Sequence, residues 1–144
     1  MKPDETIDYH IRWAWHAIQR MYNEEANKYG FSMSTGYVLL NIDVKKGTPS
    51  TQLGPRMGME STSLSRTLKT MEKRGLIKRK ANPEDGRSVL IHLTPLGEKK
   101  REISKEKVLQ FNKKLQQIIS KKKTNQFIEV IEKLKQVIKE KKIY

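Results

Sequence analysis

The run MGMESTSLSRTLKTMEKRGLIKRKANPEDGRSVLIHLTPLG, residues 57–97, is where the architecture of this chain can be read. Leu64, Leu68 and Met71 recur at steps of four and three, which puts them on one inward stripe of a helix. Thr62, Arg66, Lys69 and Lys73 recur at steps of four, three and four on another face, with no acid among them. This helix is expected over 61–74, with Gly75 just past its end. Residues 76–80 then read as a short strand, 81–88 as a string of turn formers and 89–93 as a second strand, together a hairpin. Upstream, 52–57 reads as a short helix and Gly58 as a tight turn. Helix, tight turn, helix and hairpin have the size of a helix-turn-helix with an attached wing.

Longer helices flank this centre. One is expected from about Asp4 to Tyr29, capped by Thr6 or Asp4 and stopped by Gly30, with apolar residues on more than one side. Trp15 is expected in the core. A second helix is expected from a Ser34 cap through Lys45-Lys46 to Gly47, burying Tyr37, Leu40 and Val44 with Leu39 and Ile42 to either side, and Thr48-Pro49 is read as a connector. After the hairpin, Thr94 can cap a long helix with Pro95 at its first position. Lys121-Lys122-Lys123 interrupts the apolar pattern, and Thr124 can cap a last helix carrying Phe127, Ile128, Ile131, Leu134, Val137 and Ile138. The expected class is therefore mainly α (α+β), with a two-stranded wing between long terminal helices. The chain reads as three parts, an N-terminal helix over 1–33, a central 34–97 domain and C-terminal helices over 98–144.

The chain of 144 residues carries 30 basic and 16 acidic side chains, for a net charge of +14. The charge is uneven: residues 1–49 are neutral, 50–97 carry +5 and 98–144 carry +9. A polyanionic partner for the last two segments fits this asymmetry, as does a merely solvated basic surface. A core this thin, at 35% hydrophobic residues, is commonly completed in a dimer.

Several function classes are excluded or disfavoured. Cysteine is absent, which removes disulfides, thiolate metal sites, cysteine nucleophiles and thiol redox sensing. The three histidines, His10, His16 and His92, do not pair at metal-ligand spacing on one helical face. No nucleophile–base pair or phosphate loop stands out, so no enzyme, catalytic residue, metal or cofactor is expected. No apolar stretch approaches a membrane span, and the polar start lacks the features of a signal peptide, so a cytoplasmic location with no membrane partner is expected.

On the central helix, Ser61, Thr62, Ser63 and Ser65 are short enough to let the backbone approach base edges. Arg66 has the reach and the fork for two contacts to guanine. At the hairpin tip, Asp85 can accept from loop amides or from Arg87, and Arg87 could enter a minor groove. Read blandly, these are an amphipathic helix with a wet basic side and a surface Asp–Arg pair of little energetic weight.

Leu53, Met57-Gly58-Met59, Ser65-Arg66, Leu68, Met71-Glu72-Lys73-Arg74-Gly75-Leu76-Ile77, Asp85-Gly86-Arg87, Ile91, Leu93-Thr94 and Gly97 together resemble the MarR family of bacterial winged helix-turn-helix regulators. The resemblance implies an intertwined homodimer built by the first and last two helices. It implies double-stranded DNA as partner, with the central helix in the major groove and the wing arginine in the minor groove. Carried over, Ser61, Thr62, Ser63, Ser65, Arg66, Lys69 and Lys73 would line the groove, Arg87 would be the wing contact and Asp85 its positioning partner. The implied function is a transcriptional regulator, most often a repressor, on a pseudo-palindromic operator. The alternative is a non-specific nucleoid-associated or RNA-binding basic protein. Many family members release DNA on binding a small molecule, for which Trp13, His16, Arg20, Tyr37 and Asn41 are the candidate pocket; the effector's identity is not encoded in any motif. One departure from the family pattern, Gly54-Pro55, predicts that the short helix is brief or irregular at its start.

Overall fold

A computed structural model describes residues 1–141 and 143–144. A short 3-10 turn, Pro3–Glu5, leads into α1, Ile7–Asn27, with Thr6 at the N-cap position. Gly30 ends this segment in the left-handed region at φ +80, and the amide of Phe31 donates back to the Ala26 carbonyl. Arg74 and Lys100 donate to the carbonyls of Gly30 and Tyr29, which anchors the corner.

The second helix differs from the sequence expectation at both ends. α2 spans Met33–Asn41 and is capped by Ser32, whose hydroxyl accepts from the Thr35 amide; Ser34 lies inside the helix. Asn23 of α1 accepts from the Met33 amide at 2.9 Å and so fixes where α2 begins. The helix stops early because the Asp43 carboxylate accepts the Lys45 and Lys46 amides at 2.9 and 2.7 Å, and a turn wins over another helical turn. The buried stripe shifts accordingly to Val38, Leu39 and Ile42, while Val44 is 43% exposed.

Thr48–Pro49 is a strand, β1, and not a plain connector. α3, Ser50–Met57, begins two residues before its expected start and stays helical through Pro55, whose ring is exposed. Its partner Gly54 is buried, accepts from the Met59 amide at 3.0 Å, and leaves room for that turn: a Cβ there would lie 3.1 Å from the Met59 carbonyl oxygen. α4 spans Ser61–Lys73, and Gly75 follows it at φ +73. β2, Ile77–Ala81, and β3, Val89–Leu93, form the hairpin, and β1 joins it to give a three-stranded antiparallel sheet in the order β1-β3-β2. The wing is thus a hairpin on a three-stranded sheet.

The core lies between α2, α3, α4 and the inner face of this sheet. It contains Val38, Leu39, Ile42, Leu53, Leu64, Leu68, Met71, Leu76, Ile77, Ile91 and Leu93. α5, Pro95–Ile118, starts as expected, with the Thr94 hydroxyl accepting from the Gly97 amide at 3.0 Å. α6, Lys121–Lys139, includes the lysine run and is capped by Ser120, which accepts from Lys123; Thr124 lies inside it. The chain divides into two compact units, Met1–Lys107 and Val108–Tyr144, with the division inside α5.

Candidate nucleic-acid interface

Leu64, Leu68 and Met71 pin α4 to the core, so its opposite side must face outward. Ser61, Thr62, Ser65, Arg66 and Lys69 line one shallow open groove on that side. All are exposed, and no salt bridge among the described residues engages Arg66, Lys69 or Lys73. The acid that follows on the helix, Glu72, is turned to Arg79 of β2 at 3.1 Å. The outward face therefore presents short hydroxyls, one fork and one ammonium with no competing carboxylate. Lys73 is exposed on the last turn, and Ser63 lines a different cleft, beside α1 and α2.

The hairpin tip is built by short polar side chains. The Asp85 carboxylate accepts from the Arg87 amide at 2.9 Å, and its carbonyl accepts from the Ser88 amide. Asn82 accepts from the Glu84 amide and donates to the buried Ser88 hydroxyl at 3.0 Å. Asp85 thus holds the backbone of the turn, and the Arg87 guanidinium forms no salt bridge with a described residue.

The residues expected to share one pocket are divided. Tyr37 and Asn41 line a cleft of about 660 Å³ together with Trp15, Gln19, Met33, Arg56, Met57, Met59 and Glu60. His16 and Arg20 line a separate open groove with Gln19 and Asn23. Trp13, 64% exposed, lines neither. The expectation for Trp15 is also corrected: it is 42% exposed and stacks on Tyr37, with ring centroids 6.3 Å apart and planes 9° from parallel. Tyr22 meets Tyr37 edge-on, and burial, with Tyr37 adding to it, pushes its hydroxyl up to about 12. Burial likewise raises Tyr37, so both hydroxyls stay protonated near neutrality. Sequence reasoning missed Arg56, Met57 and Met59 as cleft residues, because only the folding of the α3–α4 turn brings them near α1.

A cationic, hydroxyl-rich helix packed through its other side, preceded by a short helix and flanked by a hairpin, defines a winged helix-turn-helix protein. Residues 31–89 match the model of the MarR family. An HTH-type transcriptional regulator of Bacillus subtilis, YdgJ, is 29% identical over 83 residues, which is 58% of this chain and 51% of that relative's length. Solved structures are similar over most of their length. A MarR/EmrR family transcriptional regulator from Acinetobacter sp. ADP1 has a TM-score of 0.86 at 18% identity, covering 97% of this chain and 99% of that one. MepR of S. aureus, in a DNA complex, has a TM-score of 0.81 at 19% identity, covering 90% and 96%. A mutant MarR from E. coli complexed with operator DNA has a TM-score of 0.77 at 20% identity, covering 89% and 92%. At these identities the likeness establishes the fold. Among the described residues, no group of three or more His, Asp or Glu could hold a metal ion, and no helix is long and apolar enough to cross a membrane.

Proposed function

We propose that this chain is a bacterial, cytoplasmic transcriptional regulator that binds double-stranded DNA sequence-specifically as a homodimer, most often repressing. The observation that carries this reading is the outward face of α4, where Ser61, Thr62, Ser65, Arg66 and Lys69 gather in one cation-lined groove with no acid. Short hydroxyls allow close approach to base edges, Arg66 supplies two-point reading of guanine, and Lys69 and Lys73 neutralise flanking phosphates. Arg87, on a tip whose backbone Asp85 holds, would enter an adjacent minor groove.

Exposed apolar side chains support the dimer. Ile7 and Trp13 on α1 are exposed, as are Ile118, Phe127, Ile128 and Ile138 on the last two helices. Large unpartnered apolar area of this kind marks an interface. A second copy covering residues 1–33 and 98–144 would set two α4 helices about one DNA turn apart, roughly 34 Å. The Trp15–Tyr37 cleft reaches the α3–α4 turn through Met57, Gly58 and Met59. A small molecule held there would release DNA if it bound better to a dimer whose α4 spacing does not match the operator.

The test pairs sedimentation with a duplex titration at fixed salt. A dimer that prefers one duplex over its scrambled version by about a thousand-fold or more supports the reading. Equal affinity for both, or for single-stranded RNA, favours the non-specific nucleoid-associated or RNA-binding alternative.

A further inference from the structure

The outer face of the sheet carries a second cationic surface, apart from α4 and the hairpin tip. Strand register creates it. Lys78 pairs with His92 and Lys80 with Leu90, so these side chains share one side of the hairpin, while Ile77, Ile91 and Leu93 turn into the core from the other. Lys78 and Lys80 are exposed, and no salt bridge among the described residues includes them. Arg79, between them in sequence, belongs to the opposite side and is held by Glu72. Across β3, the His92 ring lies against the Gly47 backbone; a Cβ at Gly47 would come 2.7 Å from its Cε1.

The charged groups around His92 are one-sided. β2 contributes Lys78 and Lys80, and the turn that supplies Gly47 carries Asp43, Lys45 and Lys46. The Asp43 carboxylate is engaged inside its own turn by the amides of both those lysines. Burial, followed by Lys80 and then Lys78, holds the His92 imidazole below its ordinary value. The free protein therefore keeps His92 neutral near pH 7 and leaves the two ammonium groups uncompensated. Lys78 and Lys80 stand about 6.6 Å apart along a strand that leads directly into the tip bearing Arg87.

We propose that Lys78, Lys80 and His92 form a docking strip for the sugar-phosphate backbone of duplex DNA, flanking the bases read by α4. The inference rests on the DNA-binding reading of α4 and adds a contact surface to it. A phosphate seated between the two lysines offsets part of the repulsion that Lys80 and Lys78 exert on His92 and so eases its protonation. The ring then takes up a proton from solvent as the complex forms. By linkage, DNA affinity rises as pH falls through the range where the free ring is neutral and the bound ring is charged.

The test uses the full chain and two fluorescein-labelled duplexes, one of random sequence and one enriched from a random pool. The double variant Lys78→Gln/Lys80→Gln should lower the slope of log affinity against log salt by about two on both duplexes, with base preference kept. His92→Gln should remove a rise in wild-type affinity of roughly three-fold or more between about pH 7.5 and about pH 6. Both lysines point to solvent, so the double variant remains informative even if His92→Gln folds poorly against Gly47. Wild-type binding with a slope unchanged in the double variant overturns the strip and leaves the α4 reading intact. Failure of the wild type to bind either duplex overturns that reading, and the strip with it.

Discussion

Replacing Gly97 by alanine sets two physical effects of opposite sign against each other. Gly97 occupies the first turn of α5, where helix propensity alone makes alanine better by about 1 kcal/mol. The packing says otherwise. A Cβ at Gly97 would overlap the Leu76 carbonyl oxygen and come 3.0 Å from its carbonyl carbon. That oxygen cannot move freely, because it accepts from the Thr94 amide at 3.1 Å at the junction between α4 and β2. Relief requires α5 to shift away from the sheet or that bond to break. Overpacking against backbone costs about 3 kcal/mol, at the upper end of its usual range, which leaves roughly 2 kcal/mol of net destabilisation. For a chain of this size the melting temperature falls by about 4–8 °C. Gly86, in the hairpin tip with nothing within 4 Å of an added Cβ, is the control, and Gly86→Ala should stay within about 0.5 kcal/mol of wild type. Differential scanning calorimetry of both variants decides the matter. A Gly97→Ala protein as stable as wild type, or more so, would show that the first turn of α5 does not pack on the Leu76 backbone as described.

Three further outcomes are expected. Arg66→Ala should lose about 1–3 kcal/mol on the duplex the wild type prefers and relax base choice there, read by competition titration; no change in either removes Arg66 from the base readers. Arg87→Ala should lower the salt slope by about one, and an unchanged slope would mean the hairpin tip does not touch DNA. In the DNA-free protein, folding disfavours protonation of His92, so its stabilising contribution is full above its unfolded value near 6.5 and is lost as pH falls through the lower folded value. The melting temperature should therefore decline between about pH 7 and about pH 5, less steeply in His92→Gln, whereas Asp43, held low by hydrogen bonds from the Lys46 and Lys45 backbone amides, and Glu25, held low by the Lys28 side chain, act only at more acidic pH. Identical profiles for the two proteins would contradict this.

The parts of this molecule most legible in its sequence are those whose cause is local. The α4 stripe of Leu64, Leu68 and Met71, the stop at Gly75, the Thr94 cap before Pro95 and the hairpin strand Val89–Leu93 each follow from spacing or from one residue's conformational preference. What escaped is set by side chains that compete for backbone amides and by groups distant in sequence. The start of α2 is fixed by Asn23 accepting from Met33, and its end by Asp43 capturing two later amides. Thr48–Pro49 carries no strand signal of its own; β3 makes it one, pairing Thr48 with Ile91. For the site, the helix period grouped Thr62, Arg66 and Lys69 correctly in space, because a pinned helix has only one outward side. The period does not show that His16 and Arg20 leave Tyr37 and Asn41, since that depends on how α1 lies on α2. Nor does it show the side shared by Lys78, Lys80 and His92, which needs the strand register.

Selection of bound duplexes from a random pool, at one fixed salt concentration, tests the central claim most directly. The α4 pair of a homodimer predicts an enriched motif with dyad symmetry and half-sites about 10 base pairs apart, centre to centre. A pool that remains random while the protein retains its affinity for duplex would contradict sequence-specific reading by α4.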